Sequence, residues 1–270
     1  MKKFELTTEF ITNAFGKKLF RIKALVEFGD VKAGELGGYV EKEGNVSQAG
    51  NAWVYGNAWV YGNARVSGDA RVSGDAWVSD NAWVYGDAWV SDNAWVYGDA
   101  WVSDNAWVYG NARVYGNAWV YGDARVSGNA WVSSNARVYG DTRVYGDARV
   151  YDDARVSDNA WVYGNARVYG NAEVSGNAEV YGDARVCGNA WVYGNADYAL
   201  VQGFGTEFRC TTFYRGKNKK IMVNCGCFHG DLEGFRKQVK ETRNGKIAKE
   251  YLMIADLMEY HFTSEDSSDE

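Results

Sequence analysis

Four residues near the C-terminus have the types and the proximity for metal chemistry: Cys210, Cys225, Cys227 and His229, the last three within the run Cys-Gly-Cys-Phe-His. Thiolates and an imidazole are zinc ligands, and four such donors would complete a tetrahedral site. The spacing Cys-x-Cys-x-His is not the usual Cys-x₂-Cys knuckle. Alternation along KKIMVNCGCF also sets Cys225 and Cys227 on the strand face of Ile221 and Val223, and free cysteine is among the most buried residue types. The set is therefore a weak metal candidate, and the expected cofactor complement is none. The other histidine, His261, is expected on a helix surface.

Carboxylates are the next chemistry to weigh. A six-residue unit repeats from Asn51 onward, and aspartates at its corners, such as Asp69 with Asp87 or Asp123 with Asp141, lie eighteen residues apart. Two carboxylates make a poor calcium site, which wants six or more oxygens. The Asp-Asn corners Asp80, Asp92, Asp104 and Asp158 are never eighteen apart and build no ladder of their own. Solvated, weakly repelling carboxylates are expected. A basic cluster, Arg209, Arg215, Lys217, Lys219 and Lys220, marks a C-terminal hairpin turned at GKNK; it reads as a solvated turn or, more sharply, as an anion- or partner-binding patch.

The remaining candidates are aromatic. Of the 12 tryptophans, all precede a valine of the repeat. Ten arginines and two glutamates, Glu173 and Glu179, fill the rest of that slot; tyrosine, serine or Cys187 follows the valine. Stacking every eighteen residues predicts ladders of Trp59, Trp77 and Trp95 on one face and Trp83, Trp101 and Trp119 on another. It pairs Trp89 with Trp107 on the third. It also predicts a cationic series, Arg149, Arg167 and Arg185, flanked by Tyr151 and Tyr169. Such rows can serve packing alone. They can also anchor an interface, since tryptophan, tyrosine and arginine dominate binding hot spots. Stacking of a glycan stays open. Nucleic acid is disfavoured: the net charge is −6, and the repeat carries no lysine and more acidic than basic residues.

The elements that position these residues follow from the period. Valine recurs every sixth residue from Val54 to Val192 without insertion, which is 24 units, and alanine stands two before each, replaced once by Thr142. Period two turns alanine and valine to one side, and they are the uniformly apolar positions, so that side is the interior. The flanking slots face out. Glycine, asparagine and aspartate at the corners accept positive φ. One hexad cannot bury its valine, but stacked coils joined by parallel ladders can.

On Val54/Ala58 and the hexads that follow, the sequence resembles the hexapeptide-repeat, left-handed parallel β-helix superfamily. The resemblance implies triangular coils of three hexads, hence a mainly β solenoid of eight or nine coils, about 38 Å tall for eight at ~4.8 Å per coil. Many members are acyltransferases or carbonic anhydrases that work through histidine; here no histidine lies in the repeat and no long loop interrupts the coils, so the resemblance carries fold and not activity. More narrowly, FGDVKAGELGGYVEKEGNVSQAGNAWVYGNA and the C-terminal VNCGCFHGDLEGF resemble phage- and prophage-borne hexapeptide-repeat proteins of no established activity, which implies an accessory role toward a host molecule.

The expected organisation is an N-terminal β cap over 1–38, with Val40 and Val46 starting an imperfect first coil offset by two residues, then the β-helix over 39–198. A small C-terminal α+β module over 199–262 follows, with helices from about Leu232 and Lys246, the second presenting Ile247, Tyr251, Ile254, Ala255 and Met258 on one face. An acidic disordered tail over 263–270 ends the chain. Caps are needed because open strand edges invite polymerisation. The absence of a signal-type apolar stretch or membrane-length run implies a cytoplasmic protein. The favoured function is a non-enzymatic rod presenting its ladders to copies of itself, as dimer or trimer, or to a protein partner. The alternatives are a ligand-binding or catalytic C-terminal module with the rod as spacer, and a glycan-binding solenoid.

Overall fold

The computed structural model describes residues 1–206, 209–216 and 219–263. Its body is a β-solenoid. The 24 hexads form 24 two-residue strands, from Trp53–Val54 to Trp191–Val192. They pair in parallel with the strand eighteen residues on, as Trp77 with Trp95 and Val78 with Val96. Three sheets result, which we call face I (Trp59 to Arg185), face II (Arg65 to Trp191) and face III (Trp53 to Glu179). Every valine from Val54 to Val192 is buried and nearly all are fully inaccessible, as are the alanines two before them. Thr142, in the alanine slot, is also fully buried; its hydroxyl donates to the Tyr139 carbonyl at 2.6 Å, which satisfies the extra polar atom. The offset start is resolved by a spacing of twenty in place of eighteen: Val40 lies over Val60 and Val46 over Val66.

The corners close with left-handed backbone. Most are glycine, but Asp80, Asp92, Asp104, Asp152 and Asp158 hold φ between 56° and 60°. Each of these carboxylates accepts the amide of the glycine eighteen residues later, from Gly98, Gly110, Gly122, Gly170 and Gly176, at 3.1–3.3 Å. They are clamps between coils and not loose charges, which corrects the expectation for Asp80, Asp92, Asp104 and Asp158. The next position carries amide relays: Asn63 to Asn81 to Asp99, and Asn111 to Asn129 to Asp147. Each run stops at aspartate, because an ionised carboxylate accepts and has nothing to pass on.

The clamp gives a test. Gly128 has φ +65°, and a Cβ there would stand 2.9 Å from the Gly146 nitrogen. Gly128→Asp reproduces the Asp104–Gly122 arrangement and is expected to stay within about 1 kcal/mol of the parent, since aspartate tolerates this region and gains a charge-assisted bond. Gly128→Val has neither advantage and should lose roughly 2–3 kcal/mol in denaturant unfolding. Equal losses would remove the clamp argument.

Both solenoid ends are finished according to the polarity of the ladder. Lower-coil amides donate upward, as Trp53 to the Ala70 carbonyl, so the first coil leaves carbonyls bare and the last coil leaves amides bare. The N-terminal cap supplies donors. Its strands Phe4–Thr12 and Lys18–Ala24 extend face I antiparallel through Leu36–Val40, so the boundary expected at residue 38 falls inside a strand. The amides of Tyr39 and Glu41 reach the carbonyls of Ala58 and Val60. The Asn45 amide reaches Gly62 and Ala64, and the buried Lys3 ammonium reaches Gly50 and Ala52 at 3.2 and 2.8 Å. Burial pushes the Lys3 pKa down to about 8, partly opposed by the Asp69 charge.

The turn Asn195–Asp197 and the C-terminal module supply acceptors: Asn195 Oδ1 takes the Glu179 amide at 2.8 Å, and Thr212 Oγ1 of the module takes the Arg185 amide at 2.9 Å. The module is a four-stranded antiparallel sheet, Tyr198–Phe204, Arg209–Arg215, Ile221–Cys225 and Phe228–Asp231, followed by α1 (Leu232–Thr242) and α2 (Gly245–Thr263). The expected hairpin is its central pair; the outer strands were not expected, and turn residues 217 and 218 lie outside the described residues. The anticipated α2 face, Tyr251, Ile254, Ala255 and Met258, is buried, with Ile247 packed beside it. The expected acidic tail lies, beyond residue 263, outside the described residues.

Candidate functional site

In-register pairing sets each residue of the outward slot before valine over the one eighteen later, and flat groups then stack. On face I the rings of Trp59 and Trp77 are 4.7 Å apart and those of Trp77 and Trp95 4.8 Å, with planes within 10°. On face II the Trp83–Trp101 and Trp101–Trp119 distances are 5.3 and 5.0 Å, within 6°. The expected pair on face III, Trp89 and Trp107, meets at 5.1 Å but is tilted by 51°. The Trp89 indole N–H is buried there without a partner among the described residues.

Tryptophans and arginines belong to the same columns. Arg113 lies between Trp95 and Trp131 at 4.9 and 5.4 Å, and Arg149 stacks on Trp131 at 4.6 Å. Arg65 closes the face II indole column below at Trp83, 5.4 Å, and Arg137 closes it above at Trp119, 5.1 Å. On face III Arg71 meets Trp89, Arg125 meets Trp107 and Arg143 meets Trp161. A guanidinium is planar and stacks on an indole face, worth about 0.5–1 kcal/mol when exposed. Adding eighteen once more to the last tryptophan of each ladder would have found this. The series Arg149, Arg167, Arg185 is in register as expected, and Tyr151 and Tyr169 stack beside it at 4.9 Å.

The tyrosine slot forms shorter columns, such as Tyr97–Tyr115 at 5.0 Å and Tyr121–Tyr139 at 4.9 Å. Partial burial raises the pKa of Tyr97, Tyr121 and Tyr151. Tyrosines also meet the tryptophan of the coil above edge to face, as Tyr85 with Trp101, Tyr115 with Trp131 and Tyr145 with Trp161.

Trp53 departs from the expectation that these rings stand in the open. It sits in the same slot as the other tryptophans but is fully buried, because the cap closes over it with Phe28 at 5.3 Å and Phe4 at 5.9 Å. The most exposed indoles are Trp83, Trp119 and Trp191 on face II and Trp107 on face III, at 38–40%.

The candidate metal set does not assemble. Strand register puts His229 opposite Asn224 and Phe228 opposite Cys225, so Cys225 and His229 project from opposite faces of the sheet. Cys210 meets the Asp183 carbonyl at 3.4 Å, Cys225 accepts from Thr211 at 3.1 Å, and His229 lies 3.1 Å from the Tyr214 hydroxyl. Cys227 is exposed and Cys225 half-buried, against the expected core placement, because the strand ends at Cys225 and a turn breaks the alternation. Among the described residues no three His, Cys, Asp or Glu side chains could share an ion. His229 belongs instead to a polar seam between module and rod. There Tyr214 also meets Cys187 at 3.4 Å, and Asn224 donates to Tyr169 at 3.1 Å and to Cys187 at 3.3 Å. The basic hairpin is partly neutralised: Arg215 pairs with Asp197 and Lys220 with Asp231. Lys217 and the Arg209 side chain are outside the described residues. His261 is exposed at the end of α2, as expected.

No described helix is long and apolar enough to cross a membrane. No curated protein matches the chain. Residues 58–74, 64–80, 106–122, 118–134, 148–164, 160–176 and 178–194 match the family model described as the YdcK beta solenoid repeat. Those windows all fall inside the hexads, and with the three parallel ladders they identify the chain as a β-solenoid repeat protein.

Proposed function

We propose that this chain is a non-enzymatic binding rod that engages a protein partner, or further copies of itself, through the indole–guanidinium columns of its outer faces. The observation that supports this reading is the Trp83–Trp101–Trp119 column on face II. Its rings are held nearly parallel by the backbone ladder, two of them are 38% exposed, and arginine closes both ends. Side chains fixed in this way lose little entropy on binding, and they are the types that anchor interfaces. The capped ends leave lateral association along the faces as the open route. In this reading the resemblance to phage- and prophage-borne relatives favours a cytoplasmic setting and a host molecule as partner.

Replacing Trp83, Trp101 and Trp119 together by serine tests it. Serine is native to the neighbouring outward slot, so the coils should persist. The variant should show a lower mass in light scattering or lose the partners that the parent recovers from host lysate. Unchanged mass together with unchanged recovery removes face II from the proposal.

A further inference from the structure

The tyrosine column of face I is interrupted. Upward from the cap it runs Tyr61, Ser79, Tyr97, Tyr115, Ser133, Tyr151, Tyr169. At Ser133 one ring is missing. Coils rise ~4.8 Å each, so the rungs of Tyr115 and Tyr151 are about 9.6 Å apart. That is two of the steps seen where the column is filled, 5.0 Å for Tyr97–Tyr115 and 4.9 Å for Tyr151–Tyr169. The space has the thickness of one flat ring stacked on both sides. Tyr115 stays stacked on Tyr97 within 3° and meets Trp131 edge to face at 6.3 Å, and a groove of about 300 Å³ runs between it, Trp131, Tyr151, Arg149 and Arg167, with Ser133, 7% exposed, at its floor.

The charged side chains that line this notch are both cationic. Arg149 and Arg167 line it beside Trp131, and no carboxylate does. Neither arginine forms an ion pair among the described residues. The Arg149 guanidinium lies over the Trp131 ring, 4.6 Å from its centroid, and a guanidinium stacked on a ring keeps its in-plane N–H groups for donation. The neighbouring Asp152 carboxylate turns to the Gly170 amide and does not line the notch, although its charge still acts on Tyr151.

The other interruption, at Ser79, is a control built into the same column. It is bracketed by Tyr61 and Tyr97, but the chain's own Phe15 and Lys17 lean over it, and Asp80 stands at its edge. Lys17 is paired with Glu41 at 3.4 Å. The two gaps have the same origin and different electrostatics.

We infer that the Ser133 notch binds a flat aromatic ring bearing one anionic group, an aryl carboxylate or sulfonate. The ring stacks between Tyr115 and Tyr151 and the anion lies on Arg149 and Arg167. Aromatic stacking and charge-assisted, fork-like hydrogen bonds supply the two halves of recognition. The inference rests on reading the outer columns as binding surfaces, and adds a ligand class and an address on face I.

The test uses the full chain and 2-naphthoate as probe, followed by calorimetry and ligand-observed NMR. Ser133→Tyr is the decisive variant. Fourteen of the 24 equivalent slots already hold tyrosine, so it fills the gap with the fold's own residue. The parent should bind one naphthoate per chain. Ser133→Tyr should weaken this at least tenfold with no loss of melting temperature, and Ser79→Tyr should not change it. Arg149→Gln with Arg167→Gln should abolish the preference for naphthoate over neutral 2-naphthylmethanol. Galacturonate, an acid without a flat ring, should bind at least tenfold more weakly than naphthoate. The inference is overturned if the parent binds no naphthoate, if Ser133→Tyr binds as the parent does, or if galacturonate competes equally. The serine variant of Trp83, Trp101 and Trp119 should keep naphthoate binding. Failure of the notch therefore leaves the face II test standing, and failure of face II leaves the notch.

Discussion

Trp53→Ala should cost about 3–5 kcal/mol, whereas the same change at Trp119 should cost about 1–2 kcal/mol. Both residues occupy the same slot of the same repeat unit. Trp119 is 38% exposed and would give up its stacking with Trp101 and Arg137. Trp53 is wholly inaccessible and carries the cap. Phe4 and Phe28 meet its ring edge-on, and strand Leu36–Val40 reaches it only because Gly37 has no side chain: a Cβ there would lie 2.7 Å from the indole. Truncation would open a cavity under the segment that also carries Lys3, whose ammonium satisfies the first-coil carbonyls. Loosening that segment bares a strand edge, so Trp53→Ala should also form elongated aggregates in light scattering. Trp53→Phe should fall between, because it keeps a ring and removes an indole N–H that has no partner among the described residues. Equal losses for the two alanine variants in denaturant unfolding would refute the assignment of Trp53 as the cap's anchor.

That contrast shows what the sequence could and could not carry. Local period was enough for the coils, since alanine and valine at fixed offsets leave one inward side, and eighteen-residue stacking followed from three hexads per coil. It could not separate Trp53 from Trp59, because both stand in the hexad Asn-Ala-Trp-Val-Tyr-Gly. The difference comes from a cap folded back from residues 3–37, and the adjacent Gly37–Gly38 was its local trace. The zinc candidates failed for a related reason: alternation was extended through Gly226 and Cys227, where the chain turns. The basic hairpin read as free charge because its partners, Asp197 and Asp231, lie eighteen residues from Arg215 and eleven from Lys220, on other strands or turns. The aromatic columns were legible ring by ring. Their closure by arginine was missed because two residue classes were counted separately along one register.

Stability should rise from pH 7 to a maximum near pH 10 and then fall steeply, an unusual profile for a chain of net charge −6. Lys3 governs the rising limb. Its pKa drops from 10.5 to about 8 on folding, so between those values the unfolded chain holds the proton that the folded chain has lost. Stability then increases with pH, by about 3 kcal/mol in all. Tyrosines govern the falling limb with the opposite sign. Burial raises Tyr214 and Tyr198 above the usual 10, and pushes Tyr169 up to about 12. Above pH 10 the unfolded chain releases protons that the folded chain keeps, so this contribution is complete below pH 10 and is lost as pH climbs toward the folded values. The buried pair Tyr198 and Tyr214 alone gives a slope of about 2.7 kcal/mol per pH unit. Tyr214 lies in the seam with Cys187 and His229, so its ionisation should coincide with release of the module from the last coil. Melting temperatures from pH 7 to 11.5 should trace this profile, with tyrosinate absorbance appearing together with loss of circular dichroism. Lys3→Met should flatten the rising limb and Tyr214→Phe should make the fall shallower. A profile that declines steadily from pH 7, or a rising limb that survives Lys3→Met, would show that burial of Lys3 under the first coil does not lower its pKa on folding.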